Sequence, residues 1–278
     1  MSINTYLTSL ANNAIIRDSE KQSIQVSISM LQTRLNNYFT GELNEHFIFG
    51  SYSRGTILPR SMDDRSDIDF MVVFPDGSAR PQTHLARLKR FADYHYASSN
   101  IRQSNPTIIL SLNHIHFELV PTIKDWLGQL RIPAKASSFN DWIDTDPTSF
   151  NSQLTSKNQS HNNLIKPLVR LVKYWNVQNG YPFESYELEQ QIVSHGFGIF
   201  GLFNPQSLWG YLAEFLSELE LPWGTASWKS EKLKRAKTLI AEAQLYEGLG
   251  SLDLAETKIK QLIPPLVPQR RSGLLGRI

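Results

Sequence analysis

Asp67 and Asp69 stand one residue apart in the run SDIDFMVVF, where two carboxylates interrupt an otherwise apolar stretch. In an extended chain the side chains at i and i+2 share a face, so both point into the same space. Two like charges set in apolar sequence repel one another unless a cation joins them. Paired hard oxygen ligands suit Mg²⁺ or Mn²⁺, held by one or two carboxylates together with substrate phosphates. Glu118 repeats the signal in HIHFELVP, breaking a second apolar run and facing away from Ile115, Phe117 and Leu119. Upstream, Gly50 and Ser51 end a short apolar run and open the segment FGSYSRGT, a turn whose N–H groups can cradle a phosphate. An Asp-x-Asp alone would describe an exposed strand face, and a Gly-Ser alone a turn. Their combination with a later acid makes a coherent two-metal phosphoryl-transfer site. Arg54 and Thr56 lie in the same segment, either as phosphate contacts or as part of a solvated loop.

Three strand regions position these residues: His46–Phe49, Asp67–Phe74, and Thr107–Val120 read as two strands reversing near Asn113. In the second, Ile68, Phe70, Val72 and Phe74 face one way while Asp67, Asp69, Met71 and Val73 face the other. A helix is predicted over 83–94. Another is predicted over 19–39, with Ser19 and Gln22 at capping-box spacing and Ile24, Ile28, Leu31, Leu35 and Phe39 on one stripe. Residues 133–160, rich in Pro, Ser, Asp and Asn, read as a connecting segment with little regular structure. Helices follow over 164–176, 186–203, 206–220, 230–247 and 251–262. The division expected is a strand-and-helix lobe over 1–150 and a helical lobe over 151–278, ending in a basic, loosely held PQRRSGLLGRI.

The 278 residues carry 28 Lys and Arg against 26 Asp and Glu, and no cysteine. The absence of cysteine excludes disulfides, thiolate nucleophiles and Cys-ligated zinc, and fits a cytoplasmic protein. A net charge of +2 speaks against stable nucleic-acid binding through bulk electrostatics. No apolar run approaches the roughly 20 residues of a membrane span, and the N-terminus lacks the pattern of a secretory signal. With no large exposed apolar stripe evident, a monomer is expected.

Other polar residues have plainer readings. His114, His116 and Glu118 form a His-x-His-x-Glu run, but no fourth zinc ligand with motif spacing accompanies it. Asp63 and Asp64 read as surface charges, and Lys166 and Arg170 as a solvated helix face. Asn162 and Asn163 precede a helix and suit N-capping, with base reading as the alternative.

FGSYSRGT, SDIDFMVVF and FELVP together resemble the DNA-polymerase-β-type nucleotidyltransferases, and within them the CD-NTases, bacterial relatives of cGAS and oligoadenylate synthetase. The similarity continues through LIKPLVRLVKYWN and ESYELE to about residue 245. It implies a two-lobed α/β (α+β) fold with an N-terminal spine helix and an active site in the cleft between lobes. It further implies that Ser51, in the Gly50-Ser51 motif, holds the triphosphate. Asp67, Asp69 and Glu118 would ligate two Mg²⁺, Glu118 standing where the family usually has Asp. Lys173 and Ser185 would contact phosphate, and Tyr186 would stack on a base. The activity implied joins ribonucleoside triphosphates into a cyclic oligonucleotide that acts on a downstream effector in anti-phage signalling. RNA tailing, modification of a small molecule or protein, and non-catalytic nucleotide sensing remain the alternatives.

Overall fold

The computed structural model describes residues 2–75, 79–104, 106–134, 141–198 and 206–266. Packing divides the chain into two units. A sheet unit comprises Ile15–Arg60 and Arg65–Lys166, and a helical unit comprises Met1–Ala14, Ser61–Asp64 and Pro167–Ile278. The expected boundary after residue 150 lies inside a helix, Pro147–Ser160.

In the sheet unit, strands β1 (Glu45–Phe49), β2 (Asp67–Phe74), β3 (Asn100–Ser104), β4 (Thr107–Ser111) and β5 (His116–Lys124) run in the order β1-β2-β5-β4-β3. β2 and β5 are parallel, while the β1–β2, β4–β5 and β3–β4 pairs are antiparallel. β6 (Leu130–Pro133) pairs with β5, and β7 (Trp142–Thr145) pairs with β6. The alternation read in β2 is structural: Ile68, Phe70, Val72 and Phe74 are fully buried in one core cluster. Phe117 and Leu119 of β5 and Ile108 and Leu110 of β4 join them.

That cluster is completed by α2 (Asp18–Tyr38) and α4 (Pro81–His95). The α2 stripe of Ile24, Ile28, Leu31 and Leu35 is at most 1% exposed. Each such side chain contributes roughly 1.5–3 kcal/mol relative to an exposed one. The capping box does not form. Arg17 is the N-cap residue, and Asp18 and Glu20 occupy the first turn, where carboxylates favour the positive end of the helix.

Residues 133–160 are more regular than their composition suggests. β7 and α5 (Pro147–Ser160) both form there, and Asp146 caps α5 by accepting from the Ser149 N–H at 2.9 Å. Residues 135–140 lie outside the described residues. Pro147 occupies the first turn of α5, where its missing N–H costs little.

The helical unit contains α1 (Ile3–Asn13), α6 (Ile165–Gln178, apart from its first two residues), α7 (Ser185–Ser194), α8 (Leu208–Glu218), α9 (Ser227–Gly248) and α10 (Leu252–Leu262). α1 was not among the expected elements. Ser2 caps it, its Leu7, Leu10 and Ala11 are buried, and the Tyr6 hydroxyl donates to the Ile263 carbonyl at 2.7 Å. α7 ends at Ser194, before the expected limit of 203, and residues 199–205 are outside the described set, as is the basic C-terminal segment. Among the described residues no helix is long and apolar enough to cross a membrane.

Candidate active site

The register of the two parallel strands sets the carboxylates. Asp69 lies opposite Glu118 and Asp67 opposite His116, so Asp67, Asp69 and Glu118 share one face of the sheet. All three are partly exposed and accessible to a ligand. The other face, with Ile68, Phe70, Phe117 and Leu119, is sealed in the core. Parallel pairing thus brings together acids from strands separated by α4, β3 and β4 in sequence.

β1 delivers the turn. Phe49 pairs with Asp69, and the chain then enters a short helix, α3 (Gly50–Arg54). Gly50 has φ +70°, and a Cβ there would lie 1.7 Å from Oδ2 of Asp69. Only glycine permits both the left-handed conformation and this close approach of backbone to carboxylate. The Ser51 carbonyl accepts from the N–H groups of Thr56 (2.9 Å) and Ile57 (3.1 Å), which folds the segment back on itself. FGSYSRGT is therefore an ordered turn of helix with Gly55 at φ +71° as its C-cap residue, and the solvated-loop alternative does not hold. Arg54 is 7% exposed, its guanidinium 5.2 Å from the centre of the Phe150 ring, and Thr56 is fully buried.

Arg60 is a site neighbour that sequence reasoning did not single out. Its Nη2 donates to Nε2 of His116 at 3.3 Å, and its backbone N–H donates to Glu20 of α2 at 3.2 Å. A cation is thus held next to the residue that pairs with Asp67. His114 does not join His116. It precedes β5 and contacts Ser27 and the Ser23 carbonyl of α2.

In the helical unit, Lys173 is 3.2 Å from Oε1 of Glu189, with both side chains buried. Arg170 is also buried, contrary to the solvated face expected of it. Its Nε donates to the Ala11 carbonyl at 3.3 Å, and burial pushes its pKa down to about 10. Ser185 and Tyr186 open the first turn of α7, and the Tyr186 ring is 48% exposed. Asp63, read as a surface charge, is 7% exposed and accepts from the Tyr181 hydroxyl at 2.6 Å. Asn162 and Asn163 adopt φ of 54° and 60° in the turn before α6. Asn158 also caps α6, accepting from the Lys166 N–H at 2.9 Å while its amide donates to Asn163. Among the described residues, the donor atoms of His195, Glu214 and Glu218 of the helical unit lie within 4.8 Å of one another.

A mixed sheet presenting Asp-x-Asp on one strand and an acid on its parallel neighbour, beside a Gly-Ser turn, is the architecture of the polymerase-β-type nucleotidyltransferases. Residues 1–158 match the family model of the Second Messenger Oligonucleotide or Dinucleotide Synthetase domain, SMODS, and the chain belongs to that family. It is 25% identical over 152 residues to a cyclic AMP-AMP-AMP synthase of Acinetobacter, a match covering 52% of this chain and 43% of that protein. Its fold is similar to that of CdnC from Escherichia coli MS115-1, solved with ATP (TM-score 0.69, 14% identity, 95% of this chain and 98% of that one). It is similar also to DncV of Vibrio cholerae, a cyclic AMP-GMP synthase solved with a linear pppA(3′,5′)pG intermediate (TM-score 0.62, 14% identity, 96% and 81%).

Proposed function

We propose that this chain is a Mg²⁺-dependent nucleotidyltransferase that joins ribonucleoside triphosphates into a cyclic oligonucleotide and releases pyrophosphate at each linkage. The observation that carries the reading is the shared face of Asp67, Asp69 and Glu118, with Gly50 held against the Asp69 carboxylate. Partly exposed hard oxygens from two adjacent strands, beside a turn with no side chain at its first residue, fit divalent ions bound together with a triphosphate. When bound, such ions lower the pKa of a ribose hydroxyl and neutralise charge on the leaving pyrophosphate.

The residues divide the remaining work. Asp67, Asp69 and Glu118 hold the ions, and Glu118 accepts the proton of the attacking hydroxyl. Glutamate is one methylene longer than the family's aspartate, so its carboxylate reaches further from β5. Ser51 and the neighbouring N–H groups hold the triphosphate, with Arg54 supporting the turn. Lys173 adds positive charge near the phosphates, moderated by Glu189. Ser185 contacts phosphate and Tyr186 stacks on a base. A new bond forms between the hydroxyl oxygen and the α-phosphorus as the bond to pyrophosphate breaks. A linear intermediate then presents its free hydroxyl to its own triphosphate. The product is a diffusible messenger for a downstream effector in defence against phage, made in the cytoplasm.

Pyrophosphate release from the four ribonucleotides with Mg²⁺ or Mn²⁺ tests the reading. Wild type is expected to release it without an added acceptor, and D67N/D69N is not. A strict acceptor requirement would favour tailing or substrate modification instead.

A further inference from the structure

Ser61–Asp64 lies in sequence between the Gly-Ser turn and Asp67, yet it packs with the helical unit. Its anchor is the 2.6 Å hydrogen bond from the Tyr181 hydroxyl to Oδ1 of Asp63. Tyr181 holds φ +60°, a conformation that a tyrosine rarely adopts. Strain at a bulky residue persists only where its surroundings determine it, and here they do. The fully buried Asn176 donates to the Phe183 carbonyl at 2.9 Å and accepts from the Phe183 N–H at 3.0 Å. The Asn176 carbonyl also accepts from the Tyr181 N–H at 2.8 Å. The α6–α7 connection is thus pinned to Asn176 at Tyr181 and at Phe183. It carries Tyr181 in its middle, and Ser185 and Tyr186 immediately follow it on α7. At the other end of the hydrogen bond, the segment holding Asp63 is closed at its base, where the Ser66 hydroxyl donates to the Leu58 carbonyl at 2.7 Å. Asp67, the first residue of β2, follows directly.

We propose that Tyr181 and Asp63 are positioning residues for the nucleotidyl transfer, their hydrogen bond fixing the segment that leads into Asp67 and so setting the affinity of the acidic face for its divalent ion. The inference rests on the reading of Asp67 and Asp69 as metal ligands.

The test is a Mn²⁺ titration followed by the electron paramagnetic resonance of the free ion. It compares wild type, D67N/D69N, Y181F, D63A, D63N and Y181F/D63A, with the melting temperature of each recorded. Y181F and D63A are each expected to raise the Mn²⁺ Kd about three- to tenfold, and the double variant no further than either alone, as for residues acting through one contact. Asp63→Asn keeps an acceptor for the Tyr181 hydroxyl and is expected to stay within about twofold of wild type. The Mg²⁺ concentration for half-maximal pyrophosphate release should rise in Y181F by the same factor as the Mn²⁺ Kd. Wild-type Mn²⁺ affinity in both Y181F and D63A, whatever their melting temperatures, overturns the proposal. Wild-type Mn²⁺ affinity in D67N/D69N overturns instead the reading on which it rests.

Discussion

Asp69 and Glu118 are partly exposed on adjacent strands of the sheet unit, whereas Lys173 and Glu189 of the helical unit are buried 3.2 Å apart. Both pairs set ionised groups in apolar surroundings, but with opposite consequences. Two carboxylates on one open face repel, and the repulsion is relieved by a cation from solution. A buried ammonium and carboxylate attract, and losing either one leaves the other's desolvation less well offset. The first arrangement stores binding capacity for a ligand, and the second contributes fold stability while holding Lys173, the proposed phosphate contact, in place. Substitutions in the two places should therefore be read by different instruments.

The largest effect is expected at the acidic face. Asp69→Asn should lower the rate of pyrophosphate release by about three decades or more, about 4 kcal/mol of barrier, because charge stabilisation at the reacting phosphate is lost. Its melting temperature should fall less than that of Glu189→Leu, since Asp69 is one of three like charges on a partly exposed face. In the helical unit the order reverses. Glu189→Leu deprives the buried Lys173 of its Glu189 carboxylate and should cost about 3–5 kcal/mol of stability, measured by denaturant unfolding, with K173M/E189L recovering much of the loss. A Glu189→Leu protein as stable as wild type would erase the contrast.

Gly50→Ala sharpens the comparison because it adds one carbon to the active face. That carbon would sit 1.7 Å from Oδ2 of Asp69, so the carboxylate or the turn must shift. A displacement near 1 Å at a reacting centre costs about two decades in rate. The test is whether activity falls further than stability alone explains, with the fraction folded measured by circular dichroism.

The smallest expected effects come from pH, and they separate the two units. Burial lowers the pKa of His46 in β1 below its ordinary 6.5. The unfolded chain then binds a proton that the folded one does not, so stability is lost as pH falls below 6.5. Burial raises Tyr6 of α1 from 10.0 to about 12. Between those values the unfolded chain loses a proton that the folded one keeps, so stability falls as pH rises from about 10 to about 12. Melting temperatures of His46→Gln and Tyr6→Phe across pH should each flatten one limb and leave the other.

How far the molecule can be read from its sequence follows the range of the interactions involved. The α2 stripe, the alternation in β2 and the acid in β5 are local patterns, and each is present in the structure where the periodicity puts it. The face shared by Asp69 and Glu118 was legible because strand alternation alone orients both. What failed to show has distant partners. Asp63 looks like a loop charge until Tyr181, 118 residues away, donates to it. Arg170 looks like part of a solvated stripe until Ala11 of α1 covers it, 159 residues away. α6 is capped from Asn158, eight residues before the N–H it receives, across a turn of two left-handed asparagines. β3, β6, β7 and α5 lack the apolar periodicity that marks an element, and sheet pairing or an Asp146 cap decides them instead. The roles given to Lys173, Ser185 and Tyr186 came from family resemblance, which local pattern could not supply.

The most direct test of the central claim is the identity of the product. Wild type and D67N/D69N are incubated with all four ribonucleoside triphosphates and Mg²⁺ or Mn²⁺, treated with phosphatase, and analysed by mass spectrometry. The acidic-face account expects a phosphatase-resistant oligonucleotide from wild type, with the mass of a closed ring, and none from the double variant. A resistant product made equally well by D67N/D69N, or pyrophosphate release yielding only linear, phosphatase-sensitive chains, would contradict it.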